Sequence, residues 1–247
     1  MNVREYLDST YLKKAEQAGL TNEENTKKVI ETIEEAIKER FKLAMIRPEY
    51  VSIARKMIDQ QNSEVLVGTV IDFPFGTDSV ESKIKEAIQA IQNGVDELDY
   101  VINYEAFKKG EIELIKEEII QCTQLGLSNN KVVKFIIEVA ALTDDHIIQI
   151  SSLIRNTIVA NFNESEYSKV FVKSSTGFYP TTDGKPNGAT IHTIKLMLEN
   201  SSPLPVKAAG GVRNIEEANN MIKLGVKRIG TSAAKTIVEG LSTTGVY

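Results

Sequence analysis

Short apolar runs alternate along this chain with longer stretches in which apolar residues recur every three or four positions. Seven runs have the length and content of buried strands: "FKLAMIR" from Phe41, "EVLVGTVIDF" from Glu64, "DELDYVIN" from Asp96, "KVVKFIIEV" from Lys131, "KVFVKSS" from Lys169, "LPVKAAG" from Leu204 and "VKRIGTS" from Val226. Between them, "PEYVSIARKMIDQQ", "SVESKIKEAIQAIQNG", "EIELIKEEIIQCTQLG", "TDDHIIQISSLIRNTIV", "NGATIHTIKLMLEN" and "NIEEANNMIKLG" have helical spacing. Several open on Ser, Thr, Asp or Asn and several close at Gly, the residues that satisfy free backbone groups at helix ends. Such alternation predicts a parallel sheet covered by helices. The segment "EYLDST" near Glu5, followed by a predicted helix from Thr21 to about Arg40, supplies an eighth unit. Eight units close a (β/α)8 TIM barrel, here with an additional N-terminal helical segment, and residues 1–247 are expected to form it as a single domain. A doubly wound open sheet is the other arrangement of such units, but its G-x-G-x-x-G fingerprint is absent. The hydrophilic "NFNESEYSK" from Asn161 reads as a surface loop.

Charged residues interrupt the strands themselves. Asp96, Glu97 and Asp99 lie in the fourth predicted strand, Lys134 and Glu138 in the fifth, Lys173 in the sixth and Lys207 in the seventh. Lysine is rarely buried unless it is paired, and packing alone does not select it for a barrel strand. One strand lysine is as well explained by a neighbouring carboxylate as by function. Lys173 and Lys207 stand on adjacent strands, however, and face one small volume at the catalytic end of such a barrel. A second cation and desolvation both disfavour the charged form of an amine, which makes it a nucleophile toward an aldehyde or ketone. The iminium so formed is an electron sink for breaking or making the adjacent carbon–carbon bond, and Asp99 is the best-placed carboxylate for the proton transfers.

Phosphate chemistry has its own candidates. Loops after the seventh and eighth strands of these barrels commonly hold an anion against backbone amides. "AAGGVRN" places Gly210 and Gly211 after Lys207, "IGTSA" places Gly230, Thr231 and Ser232 before the last helical segment, and Gly177 in "SSTG" adds another amide.

Composition narrows the rest. A 26% share of charged and 42% of hydrophobic residues is that of an ordinary globular protein, and the net charge of -5 leaves no basic footprint for nucleic acid. No stretch approaches the roughly 18 apolar residues of a membrane span, and the charged N-terminus lacks a signal-peptide core, so a cytoplasmic protein is expected. The single Cys122 excludes an internal disulfide, and with only His146 and His192 no metal-ligand spacing is present. Cys122 reads as a packed helix residue, and the two histidines read as surface or capping residues. Asp72, beside the "FPFG" turn, is a candidate for shaping the pocket mouth. Lys134 is either a third barrel cation or the partner of a carboxylate such as Glu138.

Taken together, "LDST", "VIDFPFG", "GVDELDYVINYEAFKKG", "KFIIEVAALTDD", "VKSSTGF", "NGATIHTIKLM", "VKAAGGVRNIEEA" and "RIGTSA" resemble the deoxyribose-phosphate aldolases, class I aldolases built on a (β/α)8 barrel. The resemblance implies that Lys173 forms the Schiff base, Lys207 tunes it and Asp99 takes part in proton transfer. It implies that Gly177, Gly210, Gly211, Gly230 and Ser232 line the phosphate pocket, with Thr10 and Thr176 near the sugar carbons. The implied reaction is reversible cleavage of 2-deoxy-D-ribose 5-phosphate to D-glyceraldehyde 3-phosphate and acetaldehyde, in deoxyribonucleotide catabolism. It implies no metal or organic cofactor, small sugar-phosphate and aldehyde substrates, and a homo-oligomer, dimer or tetramer. Two features depart from the family pattern: the long 161–169 segment, and Phe178 where some members carry a lysine. Tyr247 is read as a terminal surface residue outside the site. Another Schiff-base barrel enzyme and a noncatalytic sugar-phosphate binder are the competing readings. A pure binder has no use for the lysine pair.

Overall fold

Eight parallel strands close into a barrel, each pairing with its neighbour in sequence and the last returning to the first. The strands are β1 (Leu7–Thr10), β2 (Leu43–Ile46), β3 (Leu66–Ile71), β4 (Glu97–Val101), β5 (Val132–Ile136), β6 (Val170–Lys173), β7 (Val206–Ala209) and β8 (Arg228–Thr231). This computed structural model describes residues 2–182 and 184–241; Tyr247 lies outside the described residues. A principal helix follows each strand: α1 (Asn22–Glu39), α2 (Val51–Gln60), α3 (Val80–Gln92), α4 (Ile112–Ser128), α5 (Asp144–Asn161), α6 (Ile191–Ser201), α7 (Ile215–Leu224) and α8 (Ala234–Val238). A 3-10 turn (Val3–Tyr6) precedes β1, and the short helices Ala15–Ala18 and Tyr104–Lys108 sit in the loops after β1 and β4. Among the described residues no helix is long and apolar enough to cross a membrane.

The local signals act where the sequence carries them. The Thr21 hydroxyl accepts from the Glu24 N–H while Glu24 reaches back to Thr21, a reciprocal cap that starts α1. That helix buries Asn25, Val29, Ile33 and Ala36, one stripe at helical spacing, and ends at Arg40 in the left-handed conformation. The 161–169 segment differs from the loop its polarity predicts: Glu164–Lys169 is a 3-10 helix. Glu166 reaches back to accept from the Asn163 backbone N–H and side-chain amide, and the Tyr167 hydroxyl donates to the Val159 carbonyl, so the polar residues satisfy a short solvated turn.

Two layers of packing result. Outward strand residues such as Val67, Leu98, Tyr100, Phe135, Val172 and Ile229 join the helices in one large apolar core. Each fully buried aliphatic side chain there contributes about 1.5–3 kcal/mol. The barrel interior is different. Leu43 and Met45 of β2 and Val70 of β3 form a separate apolar cluster with Leu12, against which Leu66, Phe73 and Phe178 pack. Gly68 makes room for it, since a Cβ there would sit 2.7 Å from the tips of Leu43 and Met45. The rest of the interior, contributed by β1 and β4 to β8, holds the charged side chains.

Candidate active site

Alternation along a strand sends every second side chain to one face. By that rule Asp8 and Thr10 of β1, Glu97 and Asp99 of β4, Lys134 of β5, Lys173 of β6, Lys207 of β7 and Arg228 of β8 all enter the barrel, and all are buried. Register then sets the heights. Lys173 pairs with Lys207 across β6 and β7, Asp99 with Lys134 across β4 and β5, and Lys207 with Arg228 across β7 and β8.

The charges close a ring. Lys134 Nζ lies 2.6 Å from Glu97 and 2.5 Å from Asp99. Lys207 Nζ lies 2.9 Å from Asp99 Oδ2 and 2.6 Å from Asp8. Arg228 joins Asp8 at 2.5 Å to Glu97 at 2.8 Å. Three cations and three carboxylates therefore alternate around a closed, self-neutral circuit, the arrangement in which buried charges compensate one another. Lys173 stands outside it. Its Nζ donates to Asp99 Oδ2 at 2.9 Å, the oxygen that Lys207 already holds, so the two amines are no more than twice that distance apart.

Protonation follows from the circuit. Burial alone would raise the Asp99 carboxyl, but Lys134, Lys173 and Lys207 overcome it and hold it well below the usual carboxylate range. Burial likewise opposes ionisation of Asp8, where Arg228 and Lys207 win, and of Glu97, where Lys134 and Arg228 win. Lys134 would be lowered by burial, yet Asp99 and Glu97 raise it. Lys173 goes the other way. Burial lowers it, Lys207 and Lys134 add to that, and its shared carboxylate cannot restore it, so its amine is pushed down to about 8. The expected pair, Lys173 and Lys207, and the expected carboxylate, Asp99, thus meet in one place. Lys134 pairs with Glu97 and Asp99, not with Glu138.

The remaining predicted residues lie around this cluster in different ways. Thr10, at the end of β1, donates its hydroxyl to the Asp8 carbonyl at 2.9 Å. The turn leaving Lys173 folds back on itself. The Gly177 N–H donates to Ser175 Oγ at 2.9 Å, so this amide, expected to be open to a phosphate, is engaged internally. Thr176 donates its hydroxyl to Glu138, and its oxygen accepts from the Phe178 N–H at 3.0 Å. Gly230 sits within β8 rather than in the following turn. A Cβ there would lie 3.1 Å from Lys207 Cε, so its bareness gives Lys207 room. Ser232 is exposed just after β8, next to the five-residue α8. Gly210 and Gly211 follow β7 with positive φ of 75° and 86°, conformations that favour glycine. Ala189 N–H reaches the carbonyls of Ala209 and Gly210 at 3.1 and 2.9 Å, tying the β6–α6 segment to this turn.

Several participants were not singled out by the sequence. Asp8 and Arg228 complete the ring, and their only signal was a charge at an inward position of an otherwise apolar strand. Gly188 presses its backbone on the Gly210 turn: a Cβ would meet Gly210 Cα at 2.6 Å and the Ala209 carbonyl at 2.7 Å. At the mouth, Phe178 meets Phe73 edge to face at 5.0 Å, and Arg47 lies over Phe73 at 5.3 Å with Nε on the Leu12 carbonyl. A cation therefore stands one ring, that of Phe73, away from Phe178. Other candidates fall elsewhere. His146 packs against Phe107, His192 pairs with Asp144 at the surface, and burial pushes the Cys122 thiol up. Asp72 accepts from the Asp78 N–H and faces Lys83, serving its own turn. Among the described residues no three His, Cys, Asp or Glu side chains group as metal ligands.

Comparison with known proteins gives one consistent result. The DeoC/LacD family aldolase model matches residues 6–244. A deoxyribose-phosphate aldolase of Staphylococcus saprophyticus is 39% identical over the whole of both chains. One from Thermococcus gammatolerans is 35% identical, covering 97% of this chain and 96% of its own. The tetrameric deoxyribose phosphate aldolase structure from Aeropyrum pernix superposes with a TM-score of 0.76 at 27% identity, over 96% of this chain and 89% of that one.

Proposed function

The chain belongs to the DeoC/LacD family of aldolases, and on that footing we propose that it is a class I deoxyribose-phosphate aldolase whose Schiff base forms on Lys173. The observation that carries this is the position of Lys173 outside a neutral ring of six charges. An amine with no carboxylate of its own, buried beside two lysines and lowered to about 8, is free base to about one-tenth at neutral pH, hundreds of times more than an ordinary lysine, and the free base is what nucleophilic attack requires.

The neutral Lys173 nitrogen adds to the C1 carbonyl of open-chain 2-deoxyribose 5-phosphate, and loss of water leaves an iminium. A base removes the proton of the C3 hydroxyl, the C2–C3 bond breaks, and its electrons move into the iminium to give an enamine and free glyceraldehyde 3-phosphate. Protonation at C2 followed by hydrolysis releases acetaldehyde and regenerates the amine. Asp99 takes part by passing protons between Lys173 and Lys207, both hydrogen-bonded to the same oxygen. Its own carboxylate is a weak base in that company, so it acts as a conduit and as the fixed charge that holds both amines. The phosphate belongs at the turns around Gly210, Gly211 and Ser232, with Gly177, Thr176 and Thr10 bordering the sugar and Gly230 giving Lys207 its room. Residues 1–247 work as one barrel domain, in the cytoplasm, with no bound cofactor, and as a dimer or tetramer of this chain.

The test is chemical trapping. Borohydride reduction in the presence of acetaldehyde, followed by peptide mass analysis, is expected to place the adduct on Lys173. An adduct on another lysine, or none, would overturn the mechanism. Turnover of deoxyribose 5-phosphate well above that of other sugar phosphates would support the substrate, and the reverse order would reassign it.

A further inference from the structure

Glu138 is a buried carboxyl group outside the ring and, unlike Glu118, which pairs with Lys83, it forms no ion pair among the described residues. It follows β5, adopts a positive φ of 56°, and is 1% exposed. Its two oxygens meet only the turn that leaves Lys173. Oε2 accepts from the Thr176 N–H at 3.1 Å and from the Thr176 hydroxyl. Oε1 lies 2.7 Å from Ser175 Oγ, and that same Oγ lies 2.6 Å from the Asn187 carbonyl while accepting from the Gly177 N–H at 2.9 Å.

Counting protons decides what Glu138 is. A serine hydroxyl carries one hydrogen. The Asn187 carbonyl can only accept, so the Ser175 hydrogen is spent on it. The contact at Oε1 is then a hydrogen bond only if Glu138 supplies the proton. An ionised Glu138 would leave two oxygens facing each other without one, buried, at the cost of an unmade hydrogen bond. With the proton on Oε1 every contact is satisfied: Oε2 behaves as a carbonyl with two donors, and Oε1 as a hydroxyl with one acceptor.

We propose that Glu138 is a positioning residue, an un-ionised carboxylic acid at neutral pH that clamps Ser175, Thr176 and, through Ser175, Asn187, and so fixes the segment leaving Lys173. This rests on the reading of the site as a sugar-phosphate aldolase only in what the clamp is for. Titratable groups that feel Glu138 include Lys173 from β6 and Tyr104 from the helix after β4. Burial pushes the Glu138 carboxyl up, and burial together with Glu138 pushes the Tyr104 hydroxyl up to about 12. A neutral Glu138 also keeps a fourth carboxylate away from Lys173, which would otherwise acquire a partner and charge.

Glu138→Gln and Glu138→Ala separate the outcomes, because a glutamine amide offers the same carbonyl to Thr176 and an N–H to Ser175. For cleavage of deoxyribose 5-phosphate, Glu138→Gln is expected to stay within about threefold of the parent, whereas Glu138→Ala raises KM by about tenfold or more. Unphosphorylated deoxyribose should be affected less by the alanine change, since it does not use the clamped phosphate end. Difference infrared spectra of the parent and Glu138→Gln proteins, which need no activity, are expected to contain the carbonyl band of an un-ionised carboxyl at neutral pH. A carboxylate band in its place, or a Glu138→Gln enzyme as impaired as Glu138→Ala, would overturn the proposal. If the parent turned over no deoxyribose 5-phosphate, the aldolase reading would fail while the infrared result still decided the state of Glu138.

Discussion

Lys173 and Lys207 share one Asp99 oxygen, and that sharing sets the behaviour of both residues at the scale of single side chains. The Lys173 amine is pushed down to about 8, so kcat/KM should rise with pH through that range as the free base forms. Lys207→Leu removes a cation from beside Lys173 and leaves Asp99 more available to it. Both changes raise the Lys173 pKa, and the rising limb of the pH–rate profile is expected to move to higher pH; an unmoved limb would refute the coupling. Lys173→Ala should lower turnover by at least about a thousandfold. Its effect on thermal stability should be modest although the side chain is buried, because the ring of six charges closes without it. The residue identities were readable in the sequence, as a lysine at an inward strand position has few structural reasons to exist. Their protonation was readable only in part, since burial and a neighbouring cation suggested a lowered pKa while the opposing carboxylate contact was unknown.

Among the elements, the β6–α6 segment and the turn after β7 depend on one another. Gly188→Ala drives a Cβ into the Gly210 Cα and the Ala209 carbonyl, backbone atoms that no side-chain rotation can clear. A loss of about 1–3 kcal/mol and a raised KM for the phosphorylated substrate are expected together, measurable by thermal melts and steady-state kinetics. Thr21→Ala offers the contrast. It removes the reciprocal cap of α1, whose side-chain hydrogen bonds run only between Thr21 and Glu24 and reach no member of the site, and should cost about 0.5–2 kcal/mol with KM unchanged. Helix boundaries such as Thr21 and Arg40 were legible because capping is local chemistry. Gly188 was not legible, because its constraint comes from a turn some twenty residues later. Nor was the 3-10 helix at Glu164–Lys169, whose polar residues look the same in a loop.

Five strands, β1, β4, β5, β7 and β8, must close in register before the charge ring exists, so its contribution belongs to the whole molecule. Removing one member leaves its partners buried and unpaired, a loss of about 3–5 kcal/mol. Asp99→Asn is the sharpest case, with three lysines deprived at once. The pH dependence has a definite sign. The Asp99 carboxyl is held well below its ordinary value in the folded chain. Its contribution is therefore fully present above the unfolded carboxylate range and is lost as pH falls through the folded value. The stability gap between the parent and Asp99→Asn proteins should hold from neutral pH to about 4 and narrow only below that, as followed by denaturant titrations. By itself the sequence determined the succession of eight βα units and named Glu97, Asp99, Lys134, Lys173 and Lys207 among its strand charges, while Asp8 and Arg228 went unmarked. Periodicity is local and survives being read one segment at a time. Only the tertiary structure decided which charges meet, because Arg228 and Asp8 stand 220 positions apart and Lys134 and Asp99 stand 35 apart. Barrel closure pairs six of them into a neutral circuit, and it is that closure which leaves Lys173 as the amine without a carboxylate of its own.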